Sequence, residues 1–202
     1  MMTVKAIDAN TANDPTSGAT HVCPIWVGYL LASPLRRLVH NPTAILRGHV
    51  QAGMTVLDLG CAMGYFSIPM ARMVGEAGRV ICVDVQEPML RKLERRAESA
   101  GVRSRIEPRL VVAESLPLDD LAGSVGFALA FAVMHEIPDQ ARALAEVAAA
   151  LSPGGRLLIS EPKGHVSAAD FAATLDRERA AGLELRERPR HAGGHAALLS
   201  KA

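Results

Sequence analysis

Residues 55–74, TVLDLGCAMGYFSIPMARMV, constrain this chain more than any other stretch. An apolar run that closes on an acid and then a glycine, as Thr55–Leu59 does with Asp58 before Gly60, is how a central parallel strand reads when helices cover both its faces. The following residues, 60–64, form a tight turn, and the spacing predicts a helix from about Tyr65. Gly60 and Gly64 carry no Cβ, so the turn can bend sharply and a ligand can lie against its backbone. Pro69 fits only inside the first helical turn, where amide donors lack an intrahelical partner. A helix that starts at the carboxyl end of a strand offers free N–H groups and a positive dipole end. The stretch reads as a cradle for a small molecule.

Spacing narrows the ligand. Residues 60–65 are GCAMGY, which breaks the G-x-G-x-x-G pattern of dinucleotide folds, and no Walker-type lysine follows. The arrangement Asp58-x-Gly60-x-Ala62-x-Gly64 resembles the first motif of class I S-adenosylmethionine-dependent methyltransferases, D/E-x-G-x-G-x-G, with Ala62 in place of the middle glycine. A methyl group at Ala62 is tolerated where its φ is negative.

The 202 residues suit one domain of ordinary size plus a tail or lid, and a 49% hydrophobic, 21% charged composition is that of a soluble globular chain. A net charge of +1 gives no electrostatic case for nucleic acid or an anionic membrane. The arginine-rich helix at residues 90–96 reads as a solvated face. Cys23, Cys61 and Cys82 form no C-x-x-C pair and read as reduced thiols, which with the lack of a signal-like or spanning apolar run predicts a cytoplasmic protein. Residues 1–20 read as a flexible arm. Residues 21–50 read as two or three short helices broken at Pro34 and Pro42, containing Trp26 and Tyr29; they form a lid on the acceptor side or simply pack against the sheet.

From residue 55 onward strand and helix patterns alternate, the mark of a parallel α/β sheet. The second strand is Arg79–Asp84, and Pro88 opens a helix stopped by Gly101. Residues 106–113 form a third strand and residues 126–133 a fourth. A helix begins at Pro138 and Asp139 and stops at Ser152-Pro153-Gly154-Gly155, which turns into a fifth strand, residues 156–161. Ser167-x-x-Asp170 resembles a capping box before a helix at residues 168–181, and residues 183–188 and 196–200 form a closing antiparallel hairpin around Gly193-Gly194. This order is similar to the methyltransferase fold. The resemblance implies a doubly wound, Rossmann-like α/β domain over residues 51–202, with a seven-stranded, mostly parallel sheet in the order 3-2-1-4-5-7-6 and strand 7 antiparallel. Within the family, the quinone-biosynthesis and arsenite methyltransferase branches are the most similar, and the cysteine pattern gives arsenite little support.

The same resemblance implies S-adenosylmethionine as cofactor and distributes its binding along the strand ends. Asp84, ending the second strand, is assigned the ribose hydroxyls; the other reading is a strand-end acid capping the next helix. Val85 and Gln86 lie along the adenosine. In the segment that resembles G-D-A-x-x-L-P, Val112 stands where the family has an acid, Ala113 offers a backbone N–H to the adenine, and Glu114 either accepts from its amine or is solvated. Gly60, Cys61, Ala62, Gly64 and Phe131 face the methionine end. Asp58 binds the amino group through a water or fixes the loop, and Cys61 is an inert small residue.

Displacement at a sulfonium needs the nucleophile behind the methyl carbon and little else, unless the acceptor must first lose a proton. His135, just past the fourth strand, is the candidate base, with Glu136 or another carboxylate to orient it; otherwise it shapes the pocket floor. Trp26, Tyr29, Phe131, Met134 and His135 are the candidate acceptor wall, suited to a small, partly apolar molecule. His21-x-Cys23 is too sparse for zinc, and His40, His49, His165, His191 and His195 have no spacing that argues for a site, so no metal is expected. The function expected is methyl transfer to a small-molecule acceptor, with no nucleic acid or membrane partner and a possible homodimer. A catalytically silent S-adenosylmethionine-binding module and a dinucleotide-dependent oxidoreductase are the alternatives.

Overall fold

The computed structural model describes residues 41–112, 115–190 and 193–202. The arm at residues 1–20 and most of the 21–50 segment, with Trp26 and Tyr29, lie outside them, as do Ala113 and Glu114. A short helix α1 (Pro42–Leu46), capped by the Asn41 side chain, precedes the sheet. Strands β1 (Thr55–Leu59), β2 (Arg79–Asp84), β3 (Ile106–Leu110), β4 (Val125–Phe131), β5 (Leu151–Pro162), β6 (Leu183–Glu187) and β7 (Gly194–Lys201) form one sheet in the order β3-β2-β1-β4-β5-β7-β6. Neighbours are parallel except β7, which runs antiparallel to both β5 and β6. Helices α2 (Ser67–Val74), α3 (Glu87–Ser99), α4 (Gln140–Ala150) and α5 (Ala168–Ala180) connect them.

Alternation along β1 explains why both faces are covered. Val56 points into a core with Met70, Ala71 and Val74 of α2 and Leu90, Leu93 and Ala97 of α3. Its neighbour Leu57 points the other way, into a core with Ala143, Leu144 and Val147 of α4 and Phe171 of α5. Successive side chains of a strand face opposite sides, so a strand apolar on both must be sandwiched. Each fully buried Leu or Val contributes about 1.5–3 kcal/mol. The strand order reverses between β1 and β4, which opens a crevice at their carboxyl ends.

Several boundaries differ from the sequence reading. Strand β4 spans Val125–Phe131 and not residues 126–133, because Ala132 leaves extended backbone at φ +57° and starts the loop. Helix α2 starts at Ser67, with residues 62–66 in turns, and Pro69 still falls in its first turn. Strand β3 ends at Leu110 because its partner β2 ends there too, Asp84 lying opposite Leu110. Strand β5 begins at Leu151, which pairs with Val125; residues 152–155 then bulge before Arg156 pairs with Phe127. The capping box forms, with the Asp170 N–H donating to Ser167 Oγ at 3.1 Å. Among the described residues no helix is long and apolar enough to cross a membrane.

Helix α5 carries an anomaly. Glu178 is completely buried, and neither carboxyl oxygen has a hydrogen-bond partner among the described residues. Burial pushes its carboxyl from the ordinary 4.5 up to about 8, opposed only by the charge of Arg188. Folding therefore takes up a proton at Glu178 between those two values, and stability falls as pH rises through that window. Glu178→Met is expected to stabilise the protein by about 1–3 kcal/mol near pH 8 and much less near pH 5. Urea unfolding at the two pH values checks this; an equal effect at both would show that the carboxyl does not titrate there.

Candidate cofactor and acceptor site

The carboxyl ends of β1, β2, β4 and β5 meet at one edge of the sheet. The turn after β1 is tied to β2, with the N–H groups of Gly60 and Cys61 donating to the Val83 carbonyl at 2.9 and 3.1 Å. Gly60 has φ +69°, and a Cβ there would lie 2.4 Å from Val133 Cγ2 of the β4 loop. Gly64 has φ +80°, and a Cβ would meet Leu93 Cδ1 of α3 at 2.2 Å. These glycines let the turn fit between two neighbouring elements. Arg96, expected on a solvated face, turns back to donate to the Met63 carbonyl at 2.6 Å, while Arg91 stays outside and pairs with Glu87.

Ala62 adopts φ +46°, so the negative φ expected for it is not what the turn uses. The left-handed region costs a residue with a Cβ roughly 1–2 kcal/mol. What holds Ala62 there is Asp84, whose Oδ2 accepts its N–H at 2.8 Å. The other oxygen, Oδ1, accepts the Gln86 N–H at 2.8 Å. Asp84 is 8% exposed; burial raises its carboxyl, and the N–H groups of Gln86, Ala62 and Val85 work against that rise. A carboxylate offers about four acceptor positions, so Asp84 has capacity left for a ligand hydroxyl. Beside it Val85 is 56% exposed and Val112, two residues past β3, is 86% exposed, two large apolar side chains open at the same edge.

Asp58 is buried under the turn and given to α2: Ser67 Oγ donates to its Oδ2 at 2.5 Å, and the Ser67 N–H donates as well. Burial lifts its carboxyl to about 7, the Ser67 bonds opposing and nearby Asp84 adding to the rise. Both bonds tie β1 to the first residue of α2. Cys61 is buried against Cys82, and burial pushes its thiol well up, which leaves it a poor nucleophile.

On the acceptor side, β4 ends at Phe131, whose ring centroid lies 4.7 Å from that of Phe66 just before α2. Ala132 follows with φ +57°, its N–H donating to the Ser160 carbonyl at 2.7 Å. The next residues wrap around Glu161 of β5, which is 2% exposed. Its Oε1 accepts the N–H groups of Val133 at 3.1 Å and Met134 at 2.8 Å. Its Oε2 is hydrogen-bonded to Nδ1 of His135. Glu136, the neighbour in sequence, reaches only to 4.0 Å from Nε2. The Glu161 bond raises the His135 pKa most, burial opposes it, and the charges of Glu161 and Glu136 add to the rise. The His165 ring stands edge-on to His135, centroids 5.6 Å apart. Met134, expected on the acceptor wall, has its side chain buried in the core beneath the loop.

Sequence reasoning missed Glu161 and Ser67 and set His165 aside. An acid two residues past the apolar run Leu157–Ile159, on a strand adjacent in the sheet to the His135 loop, was the available signal for Glu161. Among the described residues no group of three or more His, Cys, Asp and Glu side chains is arranged to hold a metal ion.

The model of the methyltransferase-domain family matches residues 50–191. The chain belongs to that family. Its sheet is the one shared by S-adenosylmethionine-dependent methyltransferases: a SAM-dependent methyltransferase from Aquifex aeolicus superposes with TM-score 0.78 at 22% identity, covering 89% of this chain and 99% of that one. The [4+2]-cyclase SpnF superposes with TM-score 0.67 at 20% identity over 80% of each chain, so the fold is not confined to enzymes named for methyl transfer. The ubiquinone/menaquinone biosynthesis C-methyltransferase UbiE of Enterobacter sp. (strain 638) is 34% identical over 115 residues, 55% of this chain and 44% of that protein. The chain spans less than half the length of the curated relatives it matches. S-adenosylmethionine is the cofactor that goes with this methyltransferase domain, and the spare acceptor capacity of Asp84 beside exposed Val85 fits its ribose and adenine.

Two substitutions probe the turn. Gly60→Ala, which meets both an unfavourable φ and Val133, is expected to destabilise the protein by about 2–4 kcal/mol. Ala62→Gly should stabilise it by about 0.5–1 kcal/mol, the relief of strain exceeding the added freedom of the unfolded chain. Denaturant titrations check both; an Ala62→Gly variant less stable than the parent would mean that the turn carries no strain there.

Proposed function

We propose that this methyltransferase-domain protein transfers a methyl group from S-adenosylmethionine to a small-molecule acceptor. The observation that carries the proposal is Asp84, which joins the end of β2 to the Ala62 N–H of the β1 turn and keeps acceptor capacity for a ligand one strand away from the crevice between β1 and β4. In this reading Asp84 takes the ribose hydroxyls and Val85 the flat face of the adenine. The turn at Gly60, Cys61, Ala62 and Gly64 faces the methionine end, and Asp58 holds that turn from below. Phe131 and Phe66 exclude water between the turn and the β4 loop. S-adenosylmethionine supplies an activated methyl carbon, so the protein's work at the acceptor is alignment and, where a proton must leave, its removal. His135 stands at that corner. Trp26 and Tyr29 belong to the segment proposed to cover it.

Calorimetric titration of the full chain with S-adenosylmethionine, S-adenosylhomocysteine and NADH tests the reading, with binding expected for the first two only. A labelled-methyl screen over metabolite extracts then separates transfer from silent binding. Asp84→Ala is expected to weaken S-adenosylhomocysteine binding by about 1–3 kcal/mol, the cost of stranding buried hydrogen-bond partners. Unchanged affinity in that variant would remove Asp84 from the ribose site.

A further inference from the structure

The buried glutamate at the end of β5 has a task that cofactor binding does not explain. Glu161 divides its two oxygens. One fixes the backbone of the β4 loop through the N–H groups of Val133 and Met134, and the other takes Nδ1 of His135. With Glu161 as the acceptor, as it is toward both backbone N–H groups, the proton of that bond lies on Nδ1 and a neutral ring keeps its lone pair on Nε2. His135 is half-buried with Nε2 directed away from Glu161, at the same sheet edge as the glycine turn that Val133 touches. A histidine held by a buried acid in one tautomer is the arrangement of a base oriented by a third group.

We infer that Glu161 is a positioning residue that makes Nε2 of His135 a general base, and that the acceptor is a phenol or enol. The inference rests on the methyl-transfer reading. In the step, the acceptor O–H proton passes to Nε2 of His135. The electron pair so freed, on oxygen or on the conjugated carbon, forms the new bond to the methyl carbon as the carbon–sulfur bond breaks and its pair returns to sulfur. The imidazolium is paired with Glu161 until it loses its proton to water. The acceptor class follows from matching. A phenol near pKa 10 is mostly protonated at neutral pH yet within reach of an imidazole base, whereas a thiol near 8.5 already supplies enough thiolate. Among the described residues, the charged and titratable groups facing His135 are Glu161 from β5, Glu136 from its own turn and His165 from the segment after β5.

Two measurements on the full chain with S-adenosylhomocysteine or S-adenosylmethionine test this. The first is ¹⁵N NMR of the His135 ring from about pH 5 to 9. An Nδ1–H tautomer is expected, with a titration midpoint above that of an ordinary histidine, and Glu161→Gln is expected to lower the midpoint. A ring protonated on Nε2, or a midpoint that Glu161→Gln leaves in place, would overturn the inference. The second is labelled-methyl transfer to catechol, which needs a base, and to 4-nitrophenol, which is largely ionised near neutral pH. His135→Asn should cut transfer to catechol about a hundredfold or more and Glu161→Gln roughly tenfold to a hundredfold, with little change for 4-nitrophenol. Equal losses on both acceptors would make the pair structural, and no transfer to either phenol would remove the acceptor class. Calorimetry keeps the two readings apart. Loss of S-adenosylhomocysteine binding by the unaltered protein strikes the methyltransferase reading, whereas intact binding with an unresponsive His135 strikes only the base.

Discussion

The hydrogen bond from the Ala62 N–H to Asp84 is the constraint on which the cofactor side of this protein depends. It joins a turn after β1 to the last residue of β2, the neighbouring strand in the sheet. Around it the two carbonyl contacts to Val83 and the reach of Arg96 to Met63 fix the same turn from two further directions. A turn held at so many points keeps its shape without a ligand. Binding then orders little of the chain, so more of the interaction with the ligand appears as affinity.

Strain marks the same edge of the molecule. The two non-glycine residues with positive φ among those described are Ala62 and Ala132, one after β1 and one after β4. Both have backbone N–H groups engaged by an adjacent strand, through Asp84 in one case and Ser160 in the other. Backbone held in a sparsely populated region persists when its surroundings over-determine it, and such residues cluster where ligands are clamped. The placement of both on the two sides of the crevice is independent support for reading that crevice as the working part of the protein.

Much of the fold was legible because its signals are local. The apolar run at Thr55–Leu59, the glycine stops at Gly101 and Gly182, and the capping box at Ser167 each act within a few residues of their own position. The cofactor side was legible for the same reason: a turn and the strand end beside it carry their own pattern. The acceptor side was not. Glu161 lies 26 positions from His135 and meets it only because β4 and β5 are neighbours, so the adjacent Glu136 looked like the partner. His165 had no spacing to recommend it, since its approach to His135 is made by the segment following β5. The conformation of Ala62 was hidden too, because what stabilises it is a carboxylate 22 residues away.

That one glutamate grips both a peptide segment and an imidazole has a mechanical corollary. The peptide N–H groups of Val133 and Met134 and the orientation of His135 are geared to a single rigid side chain, and Val133 is pressed against Gly60. Any shift of the glycine bend on loading the sulfonium would thus be carried through Val133 to the very atoms that aim the imidazole. Occupancy on one side of the crevice and alignment on the other are then two readings of the same displacement.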